Sequence, residues 1–171
     1  MVDARLETGE LQLYLLRHAH AGNPTSWTRD DALRPLSTRG RAQAQRLGRF
    51  LAEHGIVPDA IVSSPKLRAR QTANLVADAI GLGVSIDDRL AAAFDIDALS
   101  ALIDRVGGTS LMLVGHDPDL SELAATLSGA AYLPLRKGAL ARLDLSLPVG
   151  PGCAVLRWLL PPELLPLDGD L

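Results

Sequence analysis

The chain is poor in cysteine and in lysine, and each shortage excludes something. Cys153 is the one cysteine among 171 residues, so no internal disulfide can form and nothing points to an oxidising compartment. Of the 17 Lys and Arg residues only Lys66 and Lys137 are lysines, which leaves 15 arginines. Arginine is the better fork for phosphate and carboxylate. No apolar run is long enough to span a bilayer, and the opening "MVDARLETGE" has no apolar signal core. The expectation is a soluble, cytoplasmic protein with no membrane partner. The chain also lacks a GxxxxGK[ST] loop and any tight His, Cys or carboxylate set such as HExxH. A nucleotide-binding P-loop and a zinc site are therefore not expected, nor any metal or cofactor. A net charge of −3 gives no bias toward nucleic acid.

What is present suits one domain over residues 1–171, expected to be a monomer. Hydrophobic residues make up 47% and charged residues 22%, a globular composition. "LQLYLL" (11–16), "AIVS" (60–63) and "SLMLV" (110–114) are short continuous apolar runs, the pattern of strands buried on both faces. "VSI" (84–86) is a weaker strand. Between them lie four helical stretches. The first runs from a Ser37 cap to Gly55, with Leu47, Phe50, Leu51 and His54 as its stripe. The second has Ser64 as cap and Pro65 at its first position, and the third spans "DIDALSALIDRVGG". The fourth has Asp117 as cap and Pro118 at its first position. "ALARLDLSL" and "AVLRWLL" read as two further strands, a hairpin or an edge extension, before a proline-rich end. Alternating strands and helices predict an α/β three-layer sandwich: a mostly parallel central sheet with helices on both faces. Ligands bind outside the carboxyl ends of such strands.

Three of the predicted strand ends carry residues suited to an anion. The first ends in Arg17-His18, the second runs through Ser63-Ser64-Pro65 to Arg68, and "SLMLV" ends in Gly115-His116. If the strands are parallel, two Arg and two His face one point. Arg68 lies in the first turn of its helix, where the dipole disfavours a cation unless an anion binds there. Taken singly, each residue has a plain alternative: an ion-pair partner for Arg17 or Arg68, a packed core imidazole for His18, a donor to a backbone carbonyl for His116. His20 and His54 are assigned no role. Together the four suit phosphoryl transfer through a histidine. A neutral imidazole with one nitrogen tied by a hydrogen bond attacks phosphorus with the other, while Arg forks and the second His neutralise the equatorial oxygens.

"LRHA", "SSPKLRARQTA" and "LVGHDPDLS" together resemble the histidine phosphatase superfamily, whose fold is phosphoglycerate mutase-like. Ala19 stands where the family motif Arg-His-Gly has glycine. Short length, "DALRPLSTRG", "GHDPDLS" and the "KGALARLDL" to "LRWLLPPELL" ending are most similar to the SixA-type phosphohistidine phosphatases. The resemblance implies a phosphorylated nucleophile at His18 and a phosphate pocket completed by Arg17, Arg68 and His116. Many larger relatives place a glutamate general acid between helices two and three; here that stretch holds Ala91, Ala92 and Ala93. The expected activity is metal-independent hydrolysis of phosphohistidine on a protein through a covalent phosphohistidine. The alternatives are a small-molecule phosphomonoesterase or mutase on the same pocket, and a non-catalytic phosphate- or phosphoprotein-binding module. The partner is accordingly a phosphohistidine-bearing protein or a small phosphorylated substrate. Asp117 is a candidate proton donor, but its place before Pro118 favours a capping role. The short segments around the site predict an open, shallow pocket.

Overall fold

The computed structural model describes residues 10–167. A six-stranded sheet has the order β3-β2-β4-β1-β5-β6, formed by β1 (Glu10–Arg17), β2 (Ala60–Ser63), β3 (Val84–Ile86), β4 (Ser110–Gly115), β5 (Leu140–Ser146) and β6 (Ala154–Leu160). The first four strands run parallel, while β5 pairs antiparallel with both β1 and β6. The tail strands are thus both a hairpin and an extension of the sheet.

Burial on two faces explains the continuous apolar runs. Leu11, Leu13 and Leu15 of β1 point into one core with α3 (Ile96–Val106) and α4 (Asp119–Ser128), through Leu99, Leu102, Leu123 and Leu127. Tyr14 and Leu16 point into the other, with α1 (Thr38–Glu53) and α2 (Leu67–Ile80), through Leu47, Leu51, Ala73 and Val76. Successive side chains of a strand leave opposite faces, so each layer of helices receives its own half of the strand.

Ser37 caps α1 as expected, its Oγ accepting the Gly40 N–H at 3.1 Å. Gly40 is required there: a Cβ would lie 1.9 Å from the His20 carbonyl oxygen, so the helix start presses directly on the chain leaving β1. Two expected caps are corrected. α2 begins at Leu67 after Lys66, not at Ser64-Pro65, and α4 begins at Asp119 after Pro118, not at Asp117. In both cases the side chain read as a local cap is drawn to a partner distant in sequence. The apolar pattern also missed short 3-10 turns at Pro24–Ser26, Asp31–Leu33 and Asp88–Ala91, which are too short to show a period. The last residues of the proline-rich end, 168–171, lie outside the described residues, as does most of the opening segment, 1–9.

Candidate active site

Parallel pairing aligns the strand ends. Arg17 is in register with Gly115, and Ser63 with Val114. The backbone then binds the exits together, with the His18 N–H donating to Gly115 O at 3.0 Å and the Ser64 N–H to Val114 O at 2.9 Å. His18 and His116 consequently sit with ring centroids 5.2 Å apart. Arg17 and Arg68 act electrostatically on both rings. The four predicted residues therefore meet at one point.

His18 is 5% exposed. Its Nδ1 lies 2.7 Å from Ala19 O; a carbonyl can only accept, so Nδ1 carries the proton and Nε2 the lone pair. Ala19 in the glycine position is accommodated without strain. It is fully buried with Ala21, Leu36 and Ala44, and its N–H donates to Thr72 Oγ1 at 3.1 Å. Burial, opposed by the Ala19 bond and reinforced by His116 and the two arginines, lowers the His18 pKa to about 3. His116, 8% exposed, is likewise lowered to about 3, by burial first and then by Arg68 and Lys66.

These shifts carry a sign for stability. Between pH 6.5 and about 3 the unfolded chain takes up protons at both histidines that the folded chain does not. Stability from this source is full above pH 6.5 and is lost as pH falls through that window, by at most about 1.4 kcal/mol per pH unit per histidine. The melting temperature is expected to fall between about pH 7 and about pH 5, and to fall less steeply in His18→Gln. Equal slopes in the two proteins would show that His18 is not held neutral.

Each arginine is clamped by an aspartate. Arg17 Nη1 donates to Asp117 Oδ2 at 3.0 Å and to Leu135 O at 2.8 Å. Ser121 Oγ donates to Asp117 Oδ1 at 2.8 Å and accepts the Leu135 N–H at 2.9 Å, closing a ring of contacts. Asp117 is thus a brace for Arg17 and not a helix cap. Arg68 Nη1 donates to Asp31 O at 2.7 Å and its Nη2 to Asp31 Oδ2 at 2.9 Å. With both clamps made, Arg17 Nε, Arg68 Nε and His116 Nδ1 are buried and have no partner. His116 Nε2 is 2.8 Å from Ser64 Oγ, which also accepts the Lys66 N–H at 3.3 Å. With the Ser64 hydroxyl donating to Nε2, the proton of His116 is carried on the unpartnered Nδ1. In that tautomer two guanidinium N–H groups and one imidazole N–H stand unsatisfied at the site of an imidazole with a free lone pair. That arrangement can hold the oxygens of a tetrahedral anion while Nε2 of His18 attacks its centre.

The site side chains are more buried than an open, shallow edge implies: His18, Arg68 and His116 are each less than a tenth exposed. The chain between β1 and α1 contributes to this at Arg68, where it sets Asp31. His20 and His54, assigned no role, make local contacts: His20 Nδ1 contacts Ser37 Oγ at 2.7 Å, and His54 Nδ1 contacts Phe50 O at 2.8 Å. Sequence reasoning missed Asp31, Arg34, Ser64 and Lys137 as parts of the site. Lys137 follows from the turn pinned by the Gly138 N–H on Arg17 O and His18 O, both at 3.1 Å, and it feels Arg17, Arg34 and Arg68. The signal for Asp31 and Arg34 was the segment "DALRPLSTRG", which carries part of the SixA-type resemblance but has no apolar period and gives neither residue a role until the fold is closed. Among the described residues no cluster of His, Cys, Asp or Glu is arranged to hold a metal ion, and no helix is long and apolar enough to cross a membrane.

Residues 13–93 match the model of the histidine phosphatase superfamily (branch 1). An uncharacterized protein from Picosynechococcus sp. is 33% identical over 172 residues, covering 88% of this chain and 100% of the relative. The phosphohistidine phosphatase SixA of Escherichia coli K12 is 26% identical over 130 residues, 73% of this chain and 79% of that protein. The structure of a protein histidine phosphatase SixA complexed with tungstate superposes with a TM-score of 0.79 at 24% identity, covering 90% of this chain and 98% of that one.

Proposed function

The chain belongs to the histidine phosphatase superfamily, and from that premise we propose that it hydrolyses phosphohistidine on a protein, without a metal, through a phosphorylated His18. Its family and its similarity to SixA support a phosphatase. One observation carries the phosphoryl-transfer reading: the buried nitrogens Arg17 Nε, Arg68 Nε and His116 Nδ1 have no partner beside a neutral nucleophile. A buried donor left unpaired costs about 1–3 kcal/mol, more when charged, and a phosphoryl group supplies the missing acceptors.

In the first step His18 Nε2 forms a bond to phosphorus as the bond from phosphorus to the substrate imidazole breaks. The imidazole keeps the electron pair and departs neutral, because its other nitrogen already carries a proton. In the second, water bonds to phosphorus as the bond from phosphorus to His18 Nε2 breaks; the electron pair returns to Nε2, Nδ1 keeps its proton, and both water protons leave with the inorganic phosphate. Both steps gather charge on the equatorial oxygens, where the three donors stand. An alkoxide leaving group needs an acid, and Ala91, Ala92 and Ala93 offer none. Asp117 is a poor replacement, since both of its oxygens already accept hydrogen bonds, from Arg17 and from Ser121.

A panel of a phosphohistidine-bearing protein, sugar phosphates and an aryl phosphate tests this reading. The phosphohistidine protein is expected to be turned over best; preference for a sugar phosphate would move the assignment to a small-molecule phosphomonoesterase or mutase. Asp117→Asn keeps an acceptor for Arg17 and removes the acid. It should retain phosphohistidine turnover within about tenfold, whereas a true general acid is worth about 10²–10⁴. A thousandfold loss with vanadate binding intact would identify Asp117 as the donor.

A further inference from the structure

Asp31 is the part of the pocket that a simple phosphate does not call for. It opens the turn Asp31–Leu33, and its side chain is 51% exposed although its partners Arg68 and Arg34 are only 6% and 9% exposed. Arg34 fixes it from behind: Nε donates to Asp31 Oδ1 at 2.8 Å, and Nη1 is anchored on Ala21 O at 2.7 Å. Arg34 first, and then Arg68, hold the carboxyl below its ordinary range. Asp31 is therefore an ionised acceptor with lone pairs still free at the mouth of the site, and its charge is felt at His116.

Its distance from a bound phosphoryl group follows from Arg68. Nε and Nη2 lie on one edge of the guanidinium; Nε is unpartnered, and Nη2 already donates to Asp31 Oδ2 at 2.9 Å. A phosphoryl oxygen taken by that edge shares Nη2 with Asp31, and two acceptors on one nitrogen lie within roughly 5 Å of each other. For any phosphoryl substrate this juxtaposition sets carboxylate against phosphoryl oxygen, so substrates differ only in what the leaving group offers Asp31. An ester oxygen offers no proton, whereas a leaving group that brings an N–H within reach of the carboxylate offsets the repulsion. A phosphorylated imidazole does so: its second nitrogen must carry a proton for the ring to leave neutral.

We propose that Asp31 is a substrate-binding residue that accepts this N–H and so selects phosphorylated imidazole over phosphate esters. The proposal rests on the functional reading above. As the phosphorus–nitrogen bond breaks, the electron pair returns to the nitrogen that held phosphorus. The proton on the other nitrogen stays there, hydrogen-bonded to Asp31, so no proton is transferred and the carboxylate needs none to give.

The test compares kcat/KM for phosphoimidazole and for p-nitrophenyl phosphate in the wild type, Asp31→Asn and Asp31→Ala. The ratio is unaffected by the fraction of enzyme that folds. It is expected to fall at least about tenfold in both variants, as for loss of one charge-assisted hydrogen bond, while vanadate still binds. An equal fall on both substrates would overturn the proposal and leave Asp31 as a brace for Arg68 alone. A wild type that turns over p-nitrophenyl phosphate but not phosphoimidazole would remove the functional reading itself, before any variant is compared.

Discussion

His18→Ala is expected to lower phosphoryl transfer by several powers of ten, because a covalent mechanism has no second route once its nucleophile is gone. Vanadate affinity should fall far less. The donors that would hold the anion belong to Arg17, Arg68 and His116, and the clamps on both arginines run to Asp117, Leu135 and Asp31 and not through His18. The wild type, mixed rapidly with labelled phosphohistidine protein, should show a transient label on His18 that the variant does not form. Residual activity within about tenfold of the wild type would rule out the covalent route. A wild type that binds the phosphoprotein saturably but acquires no label and releases no phosphate would be a binding module instead. The buried His18 ring packs beside His116, so a thermal melt of the variant separates lost packing from lost chemistry; the His18 backbone remains held by Gly115 O.

Much of this site was legible because parallel strands bring sequence-distant ends to one edge. Arg17-His18, Arg68 and Gly115-His116 each follow a short apolar run, and once the runs are taken as parallel their convergence needs no further assumption. What stayed hidden was the support behind them. Ser64 and Asp117 precede helices and carry capping side chains, so local preference assigned them to helix ends. In the folded chain Ser64 is drawn to His116 and Asp117 to Arg17, 52 and 100 residues away. A strong partner at long range outweighs a cap worth about 1 kcal/mol, and a preference scale has no access to it. Asp31 and Arg34 were harder still. Their turn has no period, and its purpose exists only where it touches Arg68. The fold class shows the same division: two-faced burial of β1, β2 and β4 was readable from their continuous apolar runs, whereas the attachment of β5 to β1 depends on pairing that no single strand records.

Arg68→Lys is expected to be nearly as damaging as loss of the nucleophile, despite keeping the charge. Arg68 meets two demands at once: Nη1 and Nη2 hold Asp31, and the same edge that carries Nη2 offers the unpartnered Nε to the anion. Only a planar fork with several fixed donors does both. A lysine ammonium is one point; drawn toward Asp31 it leaves the phosphoryl oxygens, and drawn toward the phosphoryl group it leaves Asp31 to Arg34 alone. Losing one preorganised donor to a developing oxyanion typically costs about 10²–10³ in rate, and kcat/KM should fall by about that much or more. Vanadate affinity should weaken alongside, because the same donor binds the ground-state anion. Arg17→Lys should cost less. Arg17 Nη1 already serves Asp117 and Leu135 O from a single nitrogen, a pair of contacts that an ammonium can reproduce, so the chief loss there is Nε. Titration of vanadate into the wild type and both variants, with thermal melts to confirm folding, gives the order directly. The expected sequence of affinities is wild type, then Arg17→Lys, then Arg68→Lys. If both variants bind vanadate as the wild type does, the anion site lies away from the strand ends, and the unpartnered nitrogens of Arg17, Arg68 and His116 require another explanation.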